Sequence, residues 1–243
     1  MRRPDTLTLD PRENGPRGFA NGGFGSGALA GLVGGTATVT LRAPLPVGVP
    51  LDVRWTDDGA DLMAGSAHLA SAVTTEPFVL APPYVPTMAE AEQARRVHPF
   101  RGLRTPLSDC VVCGAERMDG LRVSFGPIPG RPQLVASPFV PTASWAVDGV
   151  VRPAAVWGAL DCPSYPVEAV RRARMALLGQ LTAHRRREVL VGEELIAVGW
   201  TESIGNRSLR TASALVDAAG EVVASARAVW IQVERVPDAL AAG

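Results

Sequence analysis

One pattern occurs twice in this chain and limits the folds that it can adopt: a segment of apolar and small residues with the length of a helix is followed by several short strands. In the first copy, a glycine-rich apolar segment at 19–35 precedes strand-like runs at 36–42, 51–56, 61–64 and 66–75. In the second copy, a segment at 153–163 precedes runs at 176–183, 194–202, 207–217 and 222–233. A repeat of about 110 to 120 residues has the size of a small domain. We therefore expect an α+β fold of two fused units, each with an antiparallel sheet wrapped around one apolar helix.

The first predicted unit comprises residues 1–80 and the second residues 119–243. Residues 81–118 form a predicted proline-rich linker that packs on the surface. Within it, Thr87 and Glu90 have the spacing of a capping box, which predicts a short helix that ends near Arg96. Sequence patterns also predict strands at 121–125 and 134–138 and a short helix at 167–174.

The first apolar segment is rich in glycine, although glycine is a poor helix former. A buried helix that other backbone approaches closely would explain this composition. Asn21 is the predicted N-cap, and Gly34 and Gly35 are predicted to end the helix. Backbone N–H groups at a helix start carry partial positive charge, so Gly22 and Gly23 are candidate donors to a substrate carbonyl oxygen. Asn21 is a candidate side-chain donor beside them. The alternative, that these glycines only permit close packing, stays open.

The composition excludes several classes of function. The chain of 243 residues carries 24 basic and 24 acidic residues, and every basic residue is arginine. This balance argues against a nucleic-acid-binding protein, and the absence of lysine excludes a P-loop and Schiff-base catalysis. We expect neither a membrane span nor a signal peptide, because no apolar stretch of sufficient length is present. Three cysteines are too few for a disulfide framework and indicate a reducing, cytoplasmic setting, and the composition is typical of a GC-rich bacterial genome.

Three stretches of the sequence carry a resemblance to a known family. They are Gly22–Ala30 (GGFGSGALA) together with Thr38–Gly48 (TVTLRAPLPVG), then Trp157–Asp161 (WGALD), and last Asp217–Ala228 (DAAGEVVASARA). In this order they are similar to the double hotdog proteins of the acyl-CoA thioesterase-like superfamily, in the layout of the type II acyl-CoA thioesterases. The resemblance implies two fused hotdog units. It also implies a CoA or carrier-protein thioester as ligand, bound where the two units meet, and no cofactor.

The resemblance also implies site residues. Asp161 matches the acidic residue of the family's second helix, which would activate a water for attack on the thioester carbonyl. The alternative is an Asp161 that caps the end of its helix or faces solvent. Thr182 takes the position of the family's hydroxyl residue, whereas the family's glutamine has no counterpart, because the matching region reads Ala226-Arg227-Ala228. Trp157 lies four residues before Asp161 and is predicted to form a wall of the acyl pocket.

Arginine clusters are candidates for binding the phosphates of such a ligand. The clusters are Arg185-Arg186-Arg187 and Arg171-Arg172-Arg174, in the half of the chain with the excess of basic residues. The alternative is a solvated charged face.

The cysteine and histidine residues indicate a metal site only weakly. Cys110 and Cys113 have CxxC spacing, but zinc would need two further ligands, and His98 is the nearest histidine in sequence. A structural turn is the favoured interpretation, and we predict no metal.

The sequence therefore predicts hydrolysis of an acyl thioester of CoA or of a carrier protein. Two alternatives remain open. A dehydratase or hydratase on the same scaffold would use a histidine that faces Asp161 or the helix start, and a non-catalytic protein would bind an acyl chain or another hydrophobic small molecule in a pocket without convergent polar groups. Both a monomer and a homodimer are compatible with this prediction.

Overall fold

The computed structural model describes residues 3–102, 108–115, 117–171 and 175–234. The described strands are β1 (Thr6–Thr8), β2 (Ala37–Leu41), β3 (Pro50–Trp55), β4 (Gly59–Ala64), β5 (Ala67–Thr74), β6 (Gly126–Ile128), β7 (Arg131–Phe139), β8 (Ala146–Val147), β9 (Val150–Val151), β10 (Met175–Arg185), β11 (Leu195–Ile204), β12 (Ser208–Val216) and β13 (Val222–Val233). The described α-helices are α1 (Gly22–Leu32), α2 (Met88–Arg96), α3 (Pro153–Asp161) and α4 (Val167–Arg171).

Eleven of these strands form one antiparallel sheet in the order β1-β3-β4-β5-β2-β10-β13-β12-β11-β7-β6. Along this order, the five strands from the first half of the chain come first and the six strands from the second half follow. They meet where β2 pairs with β10, from Thr40 opposite Gln180 to Ala37 opposite Ala183. β8 and β9 form a separate hairpin. The α+β class is confirmed as a large antiparallel sheet with a few helices.

The first apolar segment forms helix α1, with the start and end that the sequence predicts. The side chain of Asn21 caps the helix, because its Oδ1 accepts a hydrogen bond of 3.0 Å from the N–H of Phe24. Gly34 and Gly35 follow the last turn with φ of 108° and 93°, a backbone region that favours glycine. The N–H of Gly35 bonds back to the carbonyl of Ala30.

Helices α1 and α3 cross so closely that a side chain in place of a glycine at the contact would overlap with the other helix. A Cβ on Gly23 would lie 2.5 Å from Cβ of Asp161, and one on Gly27 would lie 2.7 Å from Cα of Ala154. From the opposite helix, a Cβ on Gly158 would lie 2.6 Å from the ring of Phe24. The close approach that the glycine-rich composition predicts is thereby confirmed, and it brings the end of α3 against the start of α1.

The second half follows its predicted pattern closely. Helix α3 ends at Asp161 and continues into a 3-10 turn at Cys162–Ser164, which precedes α4. β10 to β13 occupy the four predicted strand positions with ends shifted by a few residues. The remainder of the predicted helix at 167–174, which includes Arg172 and Arg174, lies outside the described residues.

Two predictions in the middle of the chain are corrected by the structure. Residues 121–125 do not form a strand: Arg122 has a φ of 60°, and the N–H groups of Leu121 and Val123 bond instead to the carbonyls of Val111 and Val112. The predicted linker is not confined to the surface, because residues 110–113 are buried in the main core. The capping box at Thr87 is confirmed, since its hydroxyl accepts from the N–H of Glu90 while the carboxylate of Glu90 accepts from the N–H of Thr87.

One hydrophobic core joins both halves of the chain. It contains side chains from helices α1 and α3 and from the strands of both halves, including Phe24, Val39, Leu160 and Leu181. A smaller core lies under α2. Among the described helices, none combines the length and apolar character needed to cross a membrane.

Candidate functional site

A cavity of about 340 Å³ opens where the start of α1 meets the end of α3. Its wall is completed by the residues that follow β2, by the first residues of β10 and by the last residues of β13. The wall is mainly apolar and contains four aromatic side chains that contact one another, Phe100, Phe125, Tyr165 and Trp230. An apolar cavity of this size with a few polar groups is typical of a small-molecule site.

Asp161 supplies the carboxylate in this wall. The residue is 2% exposed. Its Oδ2 accepts a hydrogen bond of 2.9 Å from Nδ2 of Asn21 and another of 2.9 Å from the backbone N–H of Gly23. Its Oδ1 is buried and has no hydrogen-bond partner among the described residues. One oxygen is therefore held in place while the other is free to accept a proton or a hydrogen bond from a ligand.

Burial raises the pKa of Asp161 to about 7, mainly because the charged form loses hydration. The N–H of Gly23 and the amide of Asn21 act in the opposite direction, since both donate to the carboxylate, and the nearby Cys110 raises the pKa further. A carboxyl group with a pKa near neutrality is suited to general acid–base catalysis.

Asn21 links the helix cap to the site. Because its Oδ1 accepts from the N–H of Phe24, its Nδ2 must point in the other direction, toward Asp161. The same Nδ2 lies 3.7 Å from the sulfur atoms of both Cys110 and Cys162. The residue that begins α1 thus also orients the carboxylate of α3.

The two glycines at the helix start differ in their roles. The N–H of Gly23 is already bonded to Asp161. Gly22 lies in the cavity wall, and as the first residue of α1 its N–H has no partner within the helix. Of the two predicted donors to a carbonyl oxygen, Gly22 therefore has the available N–H.

The structure brings the three cysteines of the chain together beside Asp161. Cys110, Cys113 and Cys162 are buried free thiols in the cavity wall. Their sulfur atoms all lie within 4.8 Å of one another, and those of Cys110 and Cys162 are 3.9 Å apart. The cluster is not predictable from the sequence, because nothing in the spacing relates Cys162 to the CxxC segment.

The structure places two other predicted site residues outside the cavity wall. Trp157 packs against Gly27 at the helix crossing and is not part of the cavity wall, to which Trp230 contributes instead. Side chains alternate along a strand, so Thr182 faces the side of the sheet opposite to its buried neighbours in β10. There its hydroxyl lies 2.9 Å from that of Thr38.

Arg185 and Arg186 lie at the far end of β10 from the cavity. Arg185 lies six positions beyond Gly179, the last residue of β10 in the cavity wall, which corresponds to a strand length of about 20 Å. Arg186 bonds to the carbonyl of Val222. The basic residue that the structure places in the cavity wall is Arg42, which is exposed and follows β2 within the Arg-x-Pro run of the sequence.

The described cavity wall contains no histidine. His98 is buried, and its Nδ1 donates to the carbonyl of Phe125. His68 lies near Asp61 on β4, and His184 bonds to Thr36.

Comparisons with known proteins support the fold. No protein-family model and no curated protein matches the sequence. Among solved structures, a putative thioesterase II from Thermobifida fusca is 16% identical, with a TM-score of 0.59 over 94% of this chain and 92% of that chain. The tesB protein of Mycobacterium avium subspecies paratuberculosis is 11% identical, with a TM-score of 0.60 over 96% and 95% of the two chains. The resemblance to hotdog thioesterase-like proteins is thereby confirmed at the level of the fold.

Proposed function

We propose that this protein hydrolyses acyl thioesters and that Asp161 is the general base. The observation that carries this proposal is the carboxylate itself: it is buried in the wall of an apolar cavity, held through one oxygen and unpartnered at the other among the described residues. The fold shared with solved structures named as thioesterases supports the choice of reaction.

The proposed reaction needs only water and the thioester. Oδ1 of Asp161 takes a proton from a water as the water oxygen forms a bond to the carbonyl carbon. The carbon–sulfur bond then breaks, the thiolate leaves with the electron pair, and the proton held by Asp161 returns to the sulfur. The products are a carboxylic acid and a free thiol.

The start of α1 is the proposed site for the negative charge that develops on the carbonyl oxygen. The N–H of Gly22 lies in the cavity wall, where the partial positive charge of the helix start favours an anion. Asn21 holds Asp161 in position and is a positioning residue in this proposal, because its amide is committed to the carboxylate.

Two further features of the cavity match an acyl thioester of CoA. The apolar wall offers burial to an acyl chain, and burial of each CH₂ group contributes roughly 0.8 kcal/mol. Arg42 lies at the cavity and is exposed, so we assign it to the phosphates of the carrier thiol in place of Arg185 and Arg186.

We also propose that the two halves of the chain are fused hotdog units, bounded at residues 1–80 and 119–243. Each half contributes one apolar helix and one part of the sheet, and the parts join edge to edge at β2 and β10. The cavity then lies between the units, because α1 belongs to the first and α3 to the second.

Both alternatives from the sequence are less well supported than hydrolysis. A dehydratase would use a histidine near Asp161, and the three histidines bond elsewhere. A binding protein would have a pocket without convergent polar groups, whereas Asn21, Asp161 and the helix start converge on this cavity.

The test is release of free thiol from acyl-CoAs with short, long and aromatic acyl groups, for the wild type and for Asp161→Asn. Asparagine keeps the shape of the side chain and can still accept from Gly23, so binding should be retained. We expect turnover of at least one acyl-CoA by the wild type, and a decrease of about 100-fold or more in the variant. Absence of turnover by the wild type, with saturable binding of acyl-CoA, would exclude hydrolysis and favour the binding protein.

A matched control is Glu13→Gln. Glu13 is also a buried carboxyl, but it pairs with Arg152 at 2.9 Å and is not part of the cavity wall. The variant should lower the melting temperature and leave the turnover of the folded protein close to that of the wild type.

A further inference from the structure

The three cysteines have an arrangement that hydrolysis does not require. Two of them lie in the turn at 110–113 and the third follows α3, so separate parts of the chain deliver their sulfur atoms to one place. Zinc–sulfur bonds are about 2.3 Å long, which places two sulfur ligands of a tetrahedral zinc ion about 3.8 Å apart. The sulfur atoms of Cys110 and Cys162 are 3.9 Å apart, and all three lie within 4.8 Å of one another. The spacing of the three sulfur atoms is therefore compatible with a metal site.

The surroundings of the sulfur atoms suit thiolates. Backbone N–H groups of Val112 and Cys113 donate to the sulfur of Cys110, and the amide of Asn21 lies 3.7 Å from two of the three sulfur atoms. Such N–H donors commonly surround metal-bound thiolates and orient them.

The turn that carries the CxxC segment is built tightly. The N–H of Gly114 bonds to the carbonyl of Cys110 at 2.9 Å, and a Cβ on Gly114 would lie 2.6 Å from the same oxygen. A glycine directly after the second cysteine therefore allows the backbone to fold back over the pair. The turn holds both sulfur atoms on the side of Cys162.

An independent observation beside the cluster also indicates a ligand. Oδ1 of Asp161, adjacent in sequence to Cys162, is buried without a partner among the described residues. A buried acceptor that stays unpaired is costly, roughly 1 to 3 kcal/mol. A water or other donor in this position would satisfy the oxygen.

We propose that Cys110, Cys113 and Cys162 bind one Zn²⁺ ion, with a fourth position on the cavity side. Thiolates select soft and borderline metal ions over Mg²⁺ and Ca²⁺. All three cysteines belong to the cavity wall, so a water or small ligand in the cavity can complete the coordination. His98 is not part of the group, since the described ligand atoms that cluster are the three sulfur atoms alone.

The first test is titration of the reduced wild-type protein with Co²⁺, followed by Zn²⁺. We expect one Co²⁺ per chain, with a thiolate-to-cobalt charge-transfer band in the near ultraviolet and visible bands of tetrahedral intensity. One equivalent of Zn²⁺ should abolish both. Mass spectrometry confirms beforehand that the thiols are reduced. Absence of the charge-transfer band in fully reduced protein would overturn the proposal.

The second test assigns the ligands. Cys113→Ser and Cys162→Ser should each weaken Zn²⁺ binding by about 100-fold or more, beyond what the loss of a group that only orients a ligand usually costs. The control is His98→Asn, which removes the nearest histidine in sequence and should leave the affinity unchanged. Tight Zn²⁺ binding by Cys162→Ser, or a comparable loss in His98→Asn, would contradict the assignment.

Circular dichroism shows whether each variant is folded. If a cysteine variant does not fold, the wild-type cobalt spectrum decides, because the intensity of its charge-transfer band increases with the number of cobalt–sulfur bonds. An intensity that corresponds to three bonds supports the proposal, and one that corresponds to fewer contradicts it. Neither test depends on enzymatic activity, so both remain valid whether or not the protein hydrolyses thioesters.

Discussion

Asp161 is the residue on which the proposed chemistry depends, and its surroundings explain how a carboxylate can serve there. Two N–H donors fix Oδ2 and thereby orient the side chain, while burial raises the pKa to about 7. An exposed aspartate has a pKa near 4 and would be a weak base at neutral pH. The same burial that makes the residue costly to the fold therefore makes it useful as a base.

This environment predicts a pH dependence for the protein freed of metal with a chelator. The base acts in its deprotonated form, so kcat/KM should rise as the pH increases through about 7 and level off above it. The measurement is kcat/KM for one acyl-CoA between pH 5 and 9. A profile with no inflection between pH 6 and 8 would argue against Asp161 as the base.

Arg42 gives a prediction about the carrier thiol. Arg42→Ala should raise KM for acyl-CoA by about 2- to 5-fold at low salt with little change in kcat, which is the effect of losing one exposed ion pair. For the acyl thioester of N-acetylcysteamine, which has no phosphate, KM should not change.

Arg54→Ala is the control for that experiment, because Arg54 is an exposed arginine on β3 and not part of the cavity wall. Equal effects of Arg42→Ala on both thioesters would show that Arg42 does not contact the phosphates.

At this scale the sequence predicts part of the site. The pattern of a helix start predicts Asn21 as the N-cap and Gly23 as a donor, although to a substrate oxygen and not to Asp161, and the family resemblance predicts Asp161. Cys162 does not, since its proximity to Cys110 depends on the crossing of two helices that are far apart in sequence. Thr182 lies in a strand, as the sequence predicts, but its side chain faces away from the buried residues of that strand, and the bulge near Gly179 changes which residues face the core.

Among the elements, the crossing of α1 and α3 brings Asn21, Gly22 and Asp161 together in the cavity wall. Glycines of α1 differ in what they contact, which permits a comparison within one helix. Gly23→Ala should destabilise the protein by about 1 to 3 kcal/mol, because the new methyl group would overlap with α3. Gly31→Ala should instead stabilise it by up to about 1 kcal/mol, because Gly31 is exposed and nothing lies within 4 Å of an added Cβ.

Thermal unfolding of both variants tests this prediction. A change of 1 kcal/mol corresponds to roughly 2 to 4 °C for a chain of this size, so the two variants should shift the melting temperature in opposite directions. A shift of the same sign and size in both would indicate that the helices do not cross as closely as described.

Local patterns predict most elements because each has its own signal, such as alternation in β13 or the capping box of α2. The failure at 121–125 has a physical reason. Its alternating residues are buried because the segment crosses the core beside residues 111–112, and its backbone bonds there instead of joining the sheet. Alternation indicates which side chains are buried, but it does not identify the partner of the backbone.

For the whole molecule, the shared core predicts that the two halves unfold together. α1 packs on α3 across the halves, and β2 pairs with β10. Chemical denaturation followed by tryptophan fluorescence and by far-ultraviolet circular dichroism should therefore give coincident, single transitions. Two separated transitions would show that the halves are independent domains, which is incompatible with a site built between them.

A rapid-quench measurement of one acyl-CoA turnover distinguishes water activation by Asp161 from a covalent route, because the mass of the intact protein and the amount of free thiol are followed together. Three thiols line the cavity, so a covalent acyl–cysteine intermediate is the competing route. If Asp161 activates a water, the wild type should release thiol without any acyl adduct, and release by Asp161→Asn should be negligible. An acyl adduct on Cys110 that forms and decays at the rate of turnover would contradict water activation by Asp161.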